Sequence, residues 1–157
     1  MSEDARFEDA HAAPLHLKAL APDDLPVISA LVQDAVFPVS EIKWQPKRRR
    51  FAALLNRFRW EDEAAGRGRH APERVRALLV VEDVTRVTSQ GIDAREKDTV
   101  LSLLSLVWEP GADGAGRLVL TLAGDGAVAL EAECLDVTLK DVTRPYLAPS
   151  GKTPRHD

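Results

Sequence analysis

The stretch RLVLTLAGDGAVALEA at 117–132 sets Leu118, Leu120 and Leu122 in alternation, turns at Gly124-Asp125-Gly126, and resumes the same alternation with Val128, Leu130 and Ala132. A period of two puts apolar side chains on one face of a strand, and the Gly-Asp-Gly corner supplies the positive φ of a tight hairpin. The pattern recurs along the chain. LHLKAL at 15–20 alternates Leu15, Leu17 and Ala19 with His16 and Lys18. Ile42 and Trp44 lead into a turn at 46–49 and a return strand begins Phe51, Ala53, Leu55. Arg74 to Gln90 reads as strand, opening on the apolar run Ala77 to Val81. Val100 to Glu109 is so filled with Leu101, Leu103, Leu104, Leu106 and Trp108 that cover on both faces is expected. Short strands divided by turn signals predict an antiparallel sheet that must fold into a sandwich or a partly open barrel to bury its apolar faces.

Two phase changes stand out. Beyond Leu55 the apolar set shifts to Phe58 and Trp60, which predicts a β-bulge near Asn56. Leu135, Val137 and Leu139 continue the last strand only after a slip. Leu135, Leu139 and Val142 also fit a helix, but the β-branched Val137, Thr138, Val142 and Thr143 favour strand.

One segment carries the helical period. In PDDLPVISALVQDAVFP, Leu25, Ile28, Leu31, Val32, Ala35 and Val36 recur at three- and four-residue steps. Asp23 is the expected N-cap, which places Pro26 in the first turn, and Pro38 is the expected stop. The fold class is therefore α+β: mainly antiparallel β with one N-terminal helix.

A chain of 157 residues fits one domain with one core. The expected limits are a tail at 1–14, a single domain at 15–146 and a frayed tail at 147–157, with a mobile loop at 61–73 that is rich in charge and glycine. No apolar run approaches the roughly 20 residues that span a bilayer, and the start lacks the pattern of a secretory signal. Cys134 is the only cysteine, so no internal disulfide can form. These features lead to the expectation of a cytoplasmic protein without membrane contact.

The net charge of −4 is unevenly spread. EIKWQPKRRRFAALLNRFRWED at 41–62 holds seven of the 21 basic residues and no acid between Lys43 and Arg59. Outside residues 43–59 the chain carries 14 basic against 25 acidic residues, or −11. Lys47, Arg48, Arg49, Arg50, Arg57 and Arg59, with Trp44 beside them, are the candidate partner-binding residues. Cations that neutralise phosphates and rings that stack on bases suit a nucleic acid. Against this, lysines and arginines at a hairpin tip also keep a sheet edge from pairing with other chains. Arg57 and Arg59 would then face acids such as Glu131 or Glu133 while the aromatics pack inward.

Other constellations are thinner. His11, His16, His70 and His156 have no paired spacing, and with one cysteine they do not make a zinc site. Cys134 reads as a small buried hydrophobe. The glycines of EPGADGAGRL lack the helix and lysine of a phosphate loop. Glu131, Glu133 and Asp136 read as solvated acids, and Asp93, Glu96 and Asp98 lack the ligand ladder of a calcium loop. No catalytic residue, cofactor or metal is expected.

LKALAPDDLPVISALVQDAV at 17–36, RFAALLNRFRWE at 50–61 and ECLDVTLKDV at 133–142 together resemble a domain-of-unknown-function family of small proteobacterial proteins, over residues 15–146. The resemblance implies a single-domain bacterial protein and carries no catalytic residues with it. The functional expectation is a binding or assembly module without intrinsic catalysis, whose partner is a protein or a second copy. The alternative is a weak nucleic-acid binder using residues 43–59, and an enzyme stands third because no nucleophile, base and orienting group assemble.

Overall fold

A computed structural model describes residues 14–61 and 73–142, and the backbone of 146–147. Residues 1–13 and 148–157 of the expected tails (1–14 and 147–157), most of the 61–73 loop, and His11, His70 and His156 lie outside the described residues.

Eleven strands form one antiparallel sheet: β1 (His16–Ala19), β2 (Val36–Pro38), β3 (Ile42–Gln45), β4 (Arg50–Phe58), β5 (Glu73–Val81), β6 (Val84–Gln90), β7 (Val100–Pro110), β8 (Gly116–Leu122), β9 (Ala127–Ala132), β10 (Val137–Asp141) and β11 (Tyr146–Leu147). The spatial order is β1-β10-β5-β4-β2-β7-β8-β9-β6, with β3 and β11 paired to β4 and β5. The sheet ends at β1 and β6 and is not closed into a barrel. Inner residues of both halves, such as Phe51, Leu79 and Leu139 on one side and Leu103, Leu118 and Leu130 on the other, belong to one apolar cluster. The halves therefore face each other as in a sandwich.

Two corners join them. At one, β7 pairs with β2 over Val100–Ser102 and with β8 from Leu103 onward. At the other, β5 continues into β6 while β9 continues into β10. There Glu82 N–H donates to the Asp136 carbonyl and Glu133 N–H to the Asp83 carbonyl, each at 3.0 Å. Asp83 takes a positive φ of 59° to make this bend, a conformation that aspartate tolerates better than most residues. The expected strand Arg74 to Gln90 is thus two strands. The slip before Val137 is the matching corner, and β10 is a strand as its β-branched residues suggested.

Several expectations are corrected. The helical segment covers only ten residues, a 3₁₀ turn at Pro22–Asp24 followed by α1 (Leu25–Leu31). Asp23 makes no side-chain cap. The chain turns at Asp34 (φ 65°), whose N–H donates to the Leu103 carbonyl at 2.7 Å, so Val36–Pro38 joins the sheet as β2 long before proline could stop a helix. The bulge near Asn56 is absent: β4 pairs with β5 without a break from Phe51↔Val81 to Phe58↔Arg74. Register shifts fall instead at Leu104 in β7 and Thr85 in β6. The extra residue at Leu104 lets Leu103 and Leu106 both point inward, three apart, while Val100 and Val107 are exposed. The leucine density of β7 thus reflects a bulge and not cover on both faces. Cys134 is exposed in the corner and is no core residue.

Candidate functional site

The basic stretch does not form one surface. The hairpin turns through Pro46–Arg48, with Arg49 at φ 52°, and the Arg49 carbonyl accepts from Val84 N–H at 2.8 Å. Lys47 and Arg48 are exposed, and neither has an ion pair among the described residues. Arg49 pairs with Glu133 at 2.8 Å and Arg50 with Glu82 at 2.7 Å. Both acids sit on the corner between β5–β6 and β9–β10, so two of the four tip cations pin the hairpin to the sandwich. Trp44 is half-buried against the core.

Arg57 and Arg59 are elsewhere. Uninterrupted alternation in β4 makes Arg57 an inward residue, fully buried beyond Leu55. Its Nε and Nη2 donate to the two Asp141 oxygens at 3.0 and 2.9 Å, and Nη1 and Nη2 donate to the two Glu61 oxygens at 2.9 and 2.8 Å. Nη1 also donates to the Phe58 carbonyl at 3.2 Å, so with these forked, charge-assisted bonds all five N–H groups of the guanidinium have acceptors. Burial alone would pull Arg57 down, but the hydrogen bonds it donates to Glu61 and Asp141 outweigh this and hold the guanidinium above its ordinary pKa. Burial likewise pushes Glu61 up, yet Arg57 and then Arg59 bring its carboxyl below the usual value. Asp141 also accepts from Leu15 N–H at 2.9 Å, tying the start of the domain to the cluster. Arg59 is buried and bonds Glu73 at 2.7 Å. Glu131 and Glu133, the acids expected to meet Arg57 and Arg59, do not: their places are taken by Asp141, Glu61 and Glu73. Phe58 and Trp60 rings lie 4.9 Å apart, and Trp60 Nε1–H donates to the Gln33 carbonyl at 2.8 Å. The cluster is a satisfied ion network around one anchoring arginine.

A second feature lies beside α1. A solvent-open groove of about 520 Å³ runs between α1 and the free side of β7, walled by Pro26, Ala30 and Gln33 and by Leu104, Val107 and Trp108. No residue lining it carries a charge. Ser29 reaches from α1 to β7, where its hydroxyl oxygen accepts from Leu106 N–H at 3.0 Å.

The remaining candidates stay apart. Cys134 donates to Asp83 at 3.1 Å, and this bond, with burial and nearby acids, pushes the thiol up. Asp93 accepts from Arg95 N–H and its guanidinium, which lower its carboxyl. Among the described residues no three His, Cys, Asp or Glu side chains gather where they could hold a metal ion.

A model of a family described as protein of unknown function (DUF2948) matches residues 15–156. The chain belongs to the DUF2948 family. The match extends past residue 146, where the sequence resemblance ended. No curated protein and no solved structure matches the chain. In this DUF2948 protein, then, the site rests on geometry. Sequence reasoning found the cations but missed both the Arg57 network and the groove. The unbroken period Phe51, Ala53, Leu55, Arg57 was the available signal for the first. The groove had none, because it depends on where β2 stops covering β7.

Proposed function

We propose that this protein is a binding module that engages a protein partner through the groove between α1 and β7, without chemistry of its own. The observation that carries the reading is the groove itself: about 520 Å³, open to solvent, with a lining of apolar residues and only serine and glutamine as polar side chains. Its volume lies in the range of roughly 300–1,000 Å³ typical of ligand sites. Its open trough suits a polypeptide better than an enclosed small molecule. A bacterial cytoplasmic setting is part of the reading, in keeping with a single cysteine. No described helix is long and apolar enough to cross a membrane.

Photo-crosslinking tests the reading. A photoreactive residue at Ala30, in the groove, should yield an adduct in cells that the same residue at Thr88, on the exposed β6, does not. Excess wild-type protein should compete for the adduct and an Ala30→Arg variant should not. Equal adducts at both positions, or none at Ala30, count against the groove.

A second reading keeps the hairpin as a weak nucleic-acid grip, favoured by the exposed Lys47 and Arg48. The ion pairs of Arg49 and Arg50 with Glu133 and Glu82 weaken it, because these cations already have partners.

A further inference from the structure

We infer that the groove binds its partner as an added β-strand: an extended, uncharged peptide segment that hydrogen-bonds to the open backbone groups of β7, the Leu106 carbonyl and the Trp108 N–H and carbonyl. The inference rests on the groove being the binding site.

Backbone direction carries the argument. In β7 the Leu103 N–H donates to the Ala35 carbonyl at 2.8 Å and its carbonyl accepts from Asp34, so Leu103 faces the β2 side. β2 pairs no further than Ser102, and the bulge at Leu104 resets the alternation. Leu106 N–H then points away from β8 to Ser29 Oγ. Antiparallel strands turn both backbone groups of alternate residues to the same side. The Leu106 carbonyl and the Trp108 N–H and carbonyl therefore face the groove, and among the described residues no strand pairs with them. Pro110 has no N–H and closes the edge.

Free edges in natural sheets are guarded by lysines, prolines or bulges. Here a bulge and a proline bound the window, but the residues inside it, Leu106, Val107 and Trp108, are uncharged, and Glu109 just outside is bridged to Arg117 at 2.6 Å. Main-chain bonds along such an edge give affinity, and pockets for alternate side chains give specificity. α1 stands across the groove from the edge and is tied to β7 through Ser29 and Leu106, so the occupant enters a trough flanked by a helix, which suits a single extended segment better than the edge of a second folded copy. With no lining charge, the peptide side chains turned toward Ala30, Pro26 and Trp108 should be apolar.

A phage-displayed library of random linear peptides, selected on the full chain and counter-selected on Ala30→Arg, supplies the probe. Ala30 is exposed on α1, so arginine there fills the groove without entering the core, and circular dichroism confirms that the variant is folded. The selected peptide is then synthesised in two N-methylated forms, each blocking one alternate set of amides. The expected result is binding lost on Ala30→Arg and weakened at least about tenfold, or about 1.4 kcal/mol, by one N-methylated form but not by the other, since only one set of amides faces the β7 edge. Hydrogen exchange of Trp108 N–H should slow in the complex. Binding that is sensitive to Ala30→Arg but indifferent to both methylated forms overturns strand addition and leaves the groove as a binding site. No Ala30-sensitive peptide at all overturns both readings. A dimer in sedimentation that Ala30→Arg dissociates would make a second copy the occupant and overturn the peptide.

Discussion

Arg57 occupies a position where the alternation of β4 calls for an apolar side chain, and it is tolerated there because Asp141 and Glu61 take its four forked hydrogen bonds. Removing one partner of a buried ion pair leaves the other uncompensated, which costs about 3–5 kcal/mol. Arg57→Ala should lower the unfolding free energy in urea by that amount, and a loss under about 1 kcal/mol would show that the network contributes little. The network also predicts acid sensitivity. Glu61 has a folded pKa below its ordinary value of 4.5, so its contribution is present above pH 4.5 and is lost as pH falls below it toward the folded value. Glu61→Gln should therefore be less stable than wild type at neutral pH and should converge with it in acid. Curves that stay parallel down the acid limb would remove Glu61 from the explanation. At Cys134 the hydrogen bond to Asp83 holds the thiol protonated. Asp83→Asn should speed alkylation by iodoacetamide at fixed pH, since the thiolate is the reacting form. An unchanged rate would mean that Asp83 does not control the thiol.

In β7, Leu103 and Leu106 both enter the core at 0% and 3% exposure although they are three residues apart. Truncating either to alanine should cost about 2–5 kcal/mol, as buried leucines do, whereas Val107→Ala on the exposed face should be nearly neutral in thermal melts. Equal effects at all three positions would contradict the bulge. This strand also shows what was legible beforehand. Alternation located β8, β9, the β3–β4 hairpin and the inner rows, because one buried face imposes a period of two on the residues themselves. Bulges leave a weaker trace: a slip was visible after Leu55, but there the inward residue is Arg57. An arginine is read as solvent-facing unless its partners are known, and Asp141 lies 84 residues away. The shortened helix hid for a similar reason. Val32, Ala35 and Val36 keep helical spacing, yet Asp34 bonds to Leu103, a tertiary contact that local pattern does not contain. The groove was equally out of reach, since it exists only where β2 ends and α1 stands beside an unpaired stretch of β7.

The electrical imbalance of the chain takes a different meaning once the sandwich is assembled. The hairpin tip meets the corner where β5 passes into β6 and β9 into β10, and the acids of that corner, Glu82 and Glu133, bind Arg50 and Arg49. The tip is further held by Val84 N–H on the Arg49 carbonyl. Half of the apparent phosphate grip is thereby spent within the molecule, leaving Lys47 and Arg48 as exposed charges before a remaining body of 19 basic against 25 acidic residues, or −6. Such a body repels a duplex beyond the immediate contact. The four substitutions Lys47→Ser, Arg48→Ser, Arg49→Ser and Arg50→Ser, made together, should therefore leave nucleic-acid binding where it already is, at no measurable affinity for single-stranded or duplex DNA at physiological salt. Stability should fall only slightly, because exposed ion pairs contribute about 0–1 kcal/mol each. Fluorescence anisotropy with labelled oligonucleotides across a salt series decides the matter. Binding by the wild type that weakens steeply with salt, as counterion release requires, and disappears in the fourfold variant would reassign the hairpin as the functional surface. Silence in both proteins, with the Ala30 adduct present, leaves the groove beside α1 as the place where this fold meets its partner.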